Sequence, residues 1–304
     1  MIQQITYGKV TWLNIINATP ADVDRLSKMY RDIHPLNLED LLSLSERPKL
    51  DIAETYLFVV MHFPVLDPKQ RLTRSHEVDI IVGNGYVVTA HDGLLPPLTH
   101  LFKQVEESQF HREKLCGKGA NHLFYVLVDQ MVDYILPILS QIDVSLREVE
   151  EGIFSDDARM IIQKITMIRR NIITLRRTIR QQVPIIEQLE RIDHPTLGEE
   201  QEEYFGDIAD HIHNARDIID EDSEIIASLA ETADTLATHR INEIIRILTV
   251  ISVIILPLTL LSSIYGMNIK LPFDTHPNAF IIVSVMMLAT VVVMLAYFRK
   301  RNWL

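Results

Sequence analysis

Two uncharged apolar runs close this chain and constrain it more than any other feature. Residues 247–265 and 279–298 contain no Asp, Glu, Lys or Arg, and six residues follow the second run. Each is close to the about 20 apolar residues that a helix needs to cross the hydrocarbon of a bilayer. The chain is therefore expected to place two spans at its C-terminal end, behind a large polar part. Arg240 and Arg246 precede the first run, and Arg299, Lys300 and Arg301 follow the second. Between the runs, residues 266–278 hold only Lys270 and Asp274 as charges. Positive residues favour the cytoplasmic side, so both termini are expected inside and the connecting loop outside. Tyr297 and Trp303 suit the inner interface. The start, Met1-Ile2-Gln3-Gln4, lacks a basic stretch followed by an apolar core, so the polar part is expected in the cytoplasm. A single cysteine, Cys116, excludes an intramolecular disulfide and has no metal-ligand spacing around it.

The polar part changes character near residue 118. Before it, β-rich runs at residues 11–16, 56–63, 78–82 and 86–90 alternate with helical stretches, the mark of a mixed α/β domain. Gly83-Asn84-Gly85 joins the last two runs as a hairpin turn. Thr19-Pro20 opens one helix, residues 37–42 form another and residues 94–107 a third. After Ala120 the strand signals stop. Residues 120–151 keep a helical apolar spacing that ends at Gly152, and a second helix starts at Asp156-Asp157 and runs to about Arg191 through Pro184. From Glu199 to Tyr265 the only proline is Pro257 and the only glycine is Gly206. One helix of that length would reach roughly 100 Å. A stalk that continues into a membrane requires such a helix.

Charge is unevenly distributed. Net charge is −12, and residues 199–234 alone carry 13 acids against one base, Arg216. The remaining residues balance at 28 acids and 28 bases. This disfavours a nucleic-acid partner, which requires Lys and Arg for its phosphates, and favours cations. The helix from Asp157 carries Arg159, Lys164, Arg169, Arg170, Arg176, Arg177 and Arg180 with no acid among them, and offers an internal source of neutralisation.

Two spans cannot enclose a polar path, so several copies must ring one. In the first span, Asn242, Thr249, Leu256 and Ser263 lie seven apart. Ile245, Ser252, Thr259 and Gly266 form the adjacent row, with Leu248 at the edge. The combined stripe has the register of a helical bundle around an axis. Its polar rings can hold hydration water, while apolar rings at Ile245, Leu248 and Leu256 can close by dewetting. Ordinary packing of small polar residues in a membrane gives a similar stripe.

Tyr265-Gly266-Met267-Asn268 stands where the first span leaves the bilayer. With two terminal spans and a large soluble domain, this resembles the CorA family of divalent-cation channels. The likeness is densest over residues 242–268, through Leu248-Thr249, Pro257-Leu258-Thr259 and the Gly-Met-Asn. It continues upstream at Leu38-Glu39-Asp40, Arg47-Pro48-Lys49, Tyr56-Leu57-Phe58 and Tyr204-Phe205-Gly206-Asp207. The resemblance implies a funnel-shaped homopentamer in the inner (plasma) membrane that takes up Mg²⁺ passively, with Co²⁺ and Ni²⁺ as related substrates. It implies Gly266, Met267 and Asn268 as selectivity filter, and Asn242, Ile245, Leu248, Thr249, Ser252, Leu256, Thr259 and Ser263 as pore lining. A ring of neutral Asn268 amides suits Mg²⁺, which surrenders water reluctantly. It further implies that Asp207 and Asp40, with Glu39, Asp210 and Glu203 beside them, bind regulatory Mg²⁺ between subunits. No other cofactor is expected; the partners are further copies of the chain, lipid and divalent cations. The loop departs from the family's Met-Pro-Glu-Leu: Ile269-Lys270-Leu271-Pro272-Phe273-Asp274 carries a lysine and a later acid.

The expected organisation is thus a cytoplasmic α/β domain over residues 1–118, antiparallel helices over 119–198 and a stalk over 199–246. The spans at 247–265 and 279–298 enclose a loop at 266–278, and 299–304 is a basic tail. No Gly-rich phosphate loop with Lys-Ser/Thr and no nucleophile–base pair argues for an enzyme. His211-Ile212-His213 lies near Asp207 and Asp210, but His at i and i+2 face different sides of a helix. The rival readings are a Zn²⁺ or Ni²⁺/Co²⁺ transporter on the same fold, and a membrane-tethered scaffold without transport.

Overall fold

A computed structural model describes residues 2–43, 46–67, 69–154, 157–198, 200–267, 277–301 and 303. The chain divides into two compact units, Met1–Ala230 and Glu231–Leu304.

The first unit is built on one six-stranded sheet. Its strands are β1 (Ile2–Tyr7), β2 (Val10–Ile16), β3 (Lys49–Ile52), β4 (Tyr56–Asp67), β5 (Leu72–Gly83) and β6 (Tyr86–His91). They lie in the order β1-β2-β6-β5-β4-β3. All neighbours are antiparallel except β2 and β6, which run parallel in a register from Thr11↔Tyr86 to Ile16↔His91. The β5–β6 turn depends on its glycines. Gly85 sits at φ +83°, and a Cβ on Gly83 would fall 2.3 Å from the Tyr86 ring. Edge strands β1 and β3 carry too few consecutive apolar residues to announce themselves in the sequence. Both are recruited by pairing with a hydrophobic neighbour.

Helices α1 (Pro20–Met29) and α2 (Pro35–Asp40) cover one face. Thr19 and Asp22 close a capping box at the start of α1, and His34 caps α2 by accepting from the Leu36 N–H. Leu26 and Leu38 meet Leu13, Ile15, Phe58, Val60, Ile81 and Val88 in the core below them. Helices α3 (Pro96–Glu107), α4 (Gln109–Cys116) and α5 (Ala120–Asp133) follow, and Trp12 from the other face meets Phe102 of α3 edge-on at 4.9 Å. Cys116 is buried.

The apolar pattern over 120–151 suggests one helix, but the structure shows two, α5 and α6 (Ile135–Gly152). The cause is Pro137. It has no N–H for the Asp133 carbonyl, and Tyr134 instead donates to Gln130 and Val132. The next helix, α7 (Ala158–Arg191), is capped by Asp157 and continues through Pro184. Its isoleucines at 161, 165, 168, 172 and 179 are buried at helical spacing. Three buried polar residues on α7 tie it to the sheet. Asn171 accepts from the Thr73 N–H at 2.9 Å and donates to the Arg71 carbonyl, Thr178 reaches Ser75, and Gln182 accepts from the His62 N–H.

Helix α8 (Gln201–Tyr265) runs 65 residues through Pro257, and α9 (Ala279–Lys300) follows. Both are long and apolar enough to cross a membrane. The α5–α6 stretch is also long and apolar enough by composition, but half of it is buried within the first unit.

Candidate functional site

Helix α8 divides its last third into two faces. Within the second unit, side-chain burial on α8 runs along Thr249, Val250, Val253, Ile254, Pro257, Leu258, Leu261 and Tyr265, with Val250 3% exposed. At about 100° per residue, the row of Ile245, Ser252, Leu256, Thr259 and Ser263 points the opposite way. That row is exposed, with Leu256 at 68% and Leu248, beside it, at 62%. Thr249, Ser252 and Thr259 return their hydroxyls to the carbonyls of Ile245, Leu248 and Ile255 at 2.8, 2.8 and 3.0 Å. These bonds satisfy the hydroxyl donors inside an apolar helix and leave oxygen lone pairs on the exposed face at Ser252 and Thr259, while Thr249 is half-buried. Asn242 is exposed one turn before Ile245. The helix ends where Gly266 donates to the Ser262 carbonyl at 3.0 Å and Met267 to the Ile264 carbonyl at 3.2 Å. A Cβ at Gly266 would stand 3.1 Å from the Ser262 oxygen, a tight approach that favours glycine. Asn268, Lys270 and Asp274 lie outside the described residues.

A second group of candidate residues lies in the first unit. Asp40, at the end of α2, is bound by Lys49 Nζ at 2.6 Å, and Lys49 also reaches Asp51 at 3.2 Å. Burial works against the Lys49 ammonium, but these two carboxylates outweigh it and raise its pKa. Glu39, Glu203, Asp207 and Asp210 are exposed. Among the described residues, no hydrogen bond or ion pair joins Asp40 to Asp207 within the chain. What the structure brings toward Asp207 is a group that sequence reasoning missed. Asp129 and Asp133, four apart on one face of α5, converge with His211 of α8. The ligand atoms of the three lie within 4.8 Å of one another, and His211 Nδ1 is 2.9 Å from Asp133. Burial pushes the Asp129 carboxyl up to about 6; Asp133 adds to the rise, His211 opposes it and Asp207 adds again. Two carboxylates and an imidazole are a credible donor set for a divalent ion. An Asp-x-x-x-Asp pair in the otherwise uncharged stretch 120–133 was the available signal. His213 turns away to Glu187 at 3.2 Å, so the two histidines face different sides as their spacing requires.

The basic helix answers only part of the acidic segment. Arg176 and Arg180 hold Asp220 at 2.6 and 3.1 Å. No ion pair from α7 reaches Glu203, Asp207 or Asp210 among the described residues.

A sequence model of the family described as "CorA-like Mg2+ transporter protein" matches residues 7–300. The chain belongs to the CorA family. It is a membrane transporter for divalent cations, and the CorA family is not one of enzymes. The chain is 29% identical over 296 residues to the cobalt/magnesium transport protein CorA of Thermotoga maritima, covering 97% of this chain and 83% of that protein. In fold it matches the complete CorA magnesium transporter structure from Methanocaldococcus jannaschii, with a TM-score of 0.85 and 20% identity over 99% of this chain and 94% of the other. The likeness extends to the ZntB cytoplasmic domain from Vibrio parahaemolyticus, with a TM-score of 0.62 and 12% identity over 77% of this chain and 90% of that one. The CorA fold here comprises the soluble α/β domain, the long helices and the apolar C-terminal helices.

Proposed function

We propose that five copies of this chain form an inner-membrane channel that passes Mg²⁺, and also Co²⁺ and Ni²⁺, into the cytoplasm under control of internal Mg²⁺. The observation that carries this reading is the exposed face of α8, opposite its half-buried face. Ser252, Thr259 and Ser263 share that exposed face and Asn242 is exposed below them, which supports a ring of helices around water. Rings of Asn242, Thr249, Ser252, Thr259 and Ser263 would hold hydrated ions. Rings of Ile245, Leu248 and Leu256 would form the dry constrictions. Gly266, Met267 and Asn268 would form the outer filter. The flanking arginines and lysine support termini on the cytoplasmic side and a loop outside.

Control would come from carboxylates. Asp207 of one copy would share an ion with Asp40 of the next, with Glu39, Asp210 and Glu203 at the margin. Bound Mg²⁺ offsets the repulsion between acidic segments and holds the copies together; its loss lets them separate. The exposed carboxylates of Asp207 and Asp210, unanswered by α7, support this.

A second reading, preference for a softer ion such as Co²⁺, Ni²⁺ or Zn²⁺, is favoured by one observation, the imidazole of His211 beside Asp129 and Asp133. Uptake into proteoliposomes separates the two. The expected result is Mg²⁺ flux in the wild type and loss of it in Asn268→Ala with the oligomer intact on size exclusion. Normal uptake by Asn268→Ala would remove the filter assignment. Flux of Zn²⁺ but not Mg²⁺ would establish the second reading, and no flux of any ion a scaffold.

A further inference from the structure

One buried acid in the first unit has no partner and no place in the ion path. Asp79, in the middle of β5, is 0% exposed, and neither of its carboxylate oxygens makes a hydrogen bond. It lies on the apolar face under α1 and α2, paired across the strands with Val60 and Ala90. A charged carboxylate without a partner is not tolerated in such a place, so the group is held uncharged. Burial, followed by the negative charges of Glu77, Asp40 and Glu46, pushes it up to about 9, and Lys49 opposes them. Those four are the charged groups whose fields act on it. Glu77 comes from its own strand and is itself engaged by His62 of β4 at 3.0 Å. Asp40 comes from the end of α2, Glu46 from the segment before β3, and Lys49 from β3. Lys49 is the one base among them.

The placement of Lys49 gives Asp79 a use. Lys49 pairs with Val60, and Val60 pairs with Asp79, so the three form one row across β3, β4 and β5 on one face. Two strand spacings separate the backbones of Lys49 and Asp79, roughly 10 Å, most of which a four-carbon lysine stem spans. At present the ammonium is held by two carboxylates, Asp40 at 2.6 Å and Asp51 at 3.2 Å, and lies over the Phe58 ring at 5.4 Å.

We infer that Asp79 is a proton store coupled to cation binding at Asp40 through Lys49. The inference rests on the reading of Asp40 as a regulatory ligand. When a divalent cation takes the Asp40 carboxylate, the Asp40–Lys49 ion pair breaks. The ammonium also leaves the solvated Asp51 carboxylate and turns inward along the row to Asp79, whose O–H bond breaks. The proton leaves to solvent, and an Asp79 carboxylate–Lys49 pair replaces the Asp40–Lys49 pair. Charge in the buried site is thus conserved, and each ion bound releases up to one proton. By linkage, the affinity for the ion rises with pH over the range in which Asp79 is still protonated without the ion. Acidic cytoplasm therefore weakens Mg²⁺ sensing and favours the open channel.

The test uses the full-length protein in detergent and reads the Mg²⁺ concentration that half-protects the soluble unit from protease. Measurement between pH 7.5 and 8.5 stays above the histidines and ordinary carboxylates and below the lysines. The wild type should need several-fold less Mg²⁺ at pH 8.5 than at pH 7.5, with a limit of about tenfold per unit for one proton. Asp79→Asn, which keeps the shape and removes the proton, should flatten this dependence. Lys49→Gln, which removes the moving charge, should flatten it too. Release of protons into weakly buffered solution on Mg²⁺ addition should accompany the wild type and not Asp79→Asn. An undiminished pH slope in Asp79→Asn, or a flat wild-type slope with protection otherwise normal, overturns the coupling and leaves Asp40 as a ligand. Absence of protection by Mg²⁺ at every pH overturns the Asp40 reading and the coupling with it.

Discussion

At the scale of single residues, the soluble unit contains a buried polar chain at the β2–β6 seam that is fully matched. Trp12 Nε1 donates to the Thr89 hydroxyl at 3.1 Å, and that hydroxyl donates to Asn14 Oδ1 at 2.8 Å. His91 Nε2 donates to the same oxygen at 3.0 Å, and His91 Nδ1 accepts from the Gly93 N–H at 3.0 Å. With one nitrogen donating and the other accepting, His91 is a neutral imidazole in a fixed tautomer. Burial pushes it down to about 4, against a small opposing pull from Asp92. A folded value below the unfolded one means that the unfolded chain binds the proton first. The His91 contribution is then complete above about pH 6.5 and is lost as pH falls toward 4, by on the order of 3 kcal/mol. Asp129 and Asp222, whose carboxyls burial pushes up to about 6, act in the opposite sense: their contribution is present at low pH and fades as pH rises through 6. Comparison with His91→Gln isolates the histidine. Urea unfolding should show the wild type losing stability between pH 6.5 and 4.5 relative to this variant. Parallel pH profiles would show that His91 is not the group responsible.

At the scale of elements, α8 and α7 carry the consequences. If Leu256 forms a dry ring, Leu256→Ser should conduct under conditions that silence the wild type; equal currents for polar variants at Ile245, Leu248 and Leu256 would mean the register is wrong. Helix α7 is held by shape-specific hydrogen bonds rather than by apolar area alone. Asn171→Leu should strand the Thr73 N–H and the Arg71 carbonyl, at a cost of about 2–4 kcal/mol, measurable as a lowered unfolding midpoint. An unchanged midpoint would show that water replaces both bonds. These two helices also show what the sequence does and does not disclose. Uncharged runs and the Gly266-Met267 turn are local signals, so the membrane helices and the central strands could be read directly. Asn171, Thr178 and Gln182 look like ordinary polar positions on a basic helix, and only the sheet beneath them explains their burial. His211 is about 80 residues from Asp129 and Asp133 in sequence and meets them only because α5 and α8 pack. The break at Tyr134 was hidden because Pro137 is tolerated in the first turn of a new helix.

At the scale of the whole molecule, the acidic segment should govern assembly. Asp207→Ala should weaken inhibition of current by internal Mg²⁺ and raise protease sensitivity of the soluble unit in its presence. An unchanged inhibition curve, for this variant and for the Asp40/Asp207 double variant, would return the acids to simple neutralisation by α7. The parallel pair of β2 and β6 bears on how the molecule is made. Its partners are about 75 residues apart, so β2 leaves the ribosome long before β6 exists, and such distant pairings form slowly. A slip of two residues would set Asn14 against Val87 and leave the buried His91 and Thr89 unmatched, whereas the correct alignment satisfies all of them at once. The Trp12–Thr89–Asn14–His91 chain thus disfavours a slipped alignment, which would leave its buried polar groups unpaired. All of its members are in the chain by Gly93, more than 150 residues before the apolar run that begins at residue 247.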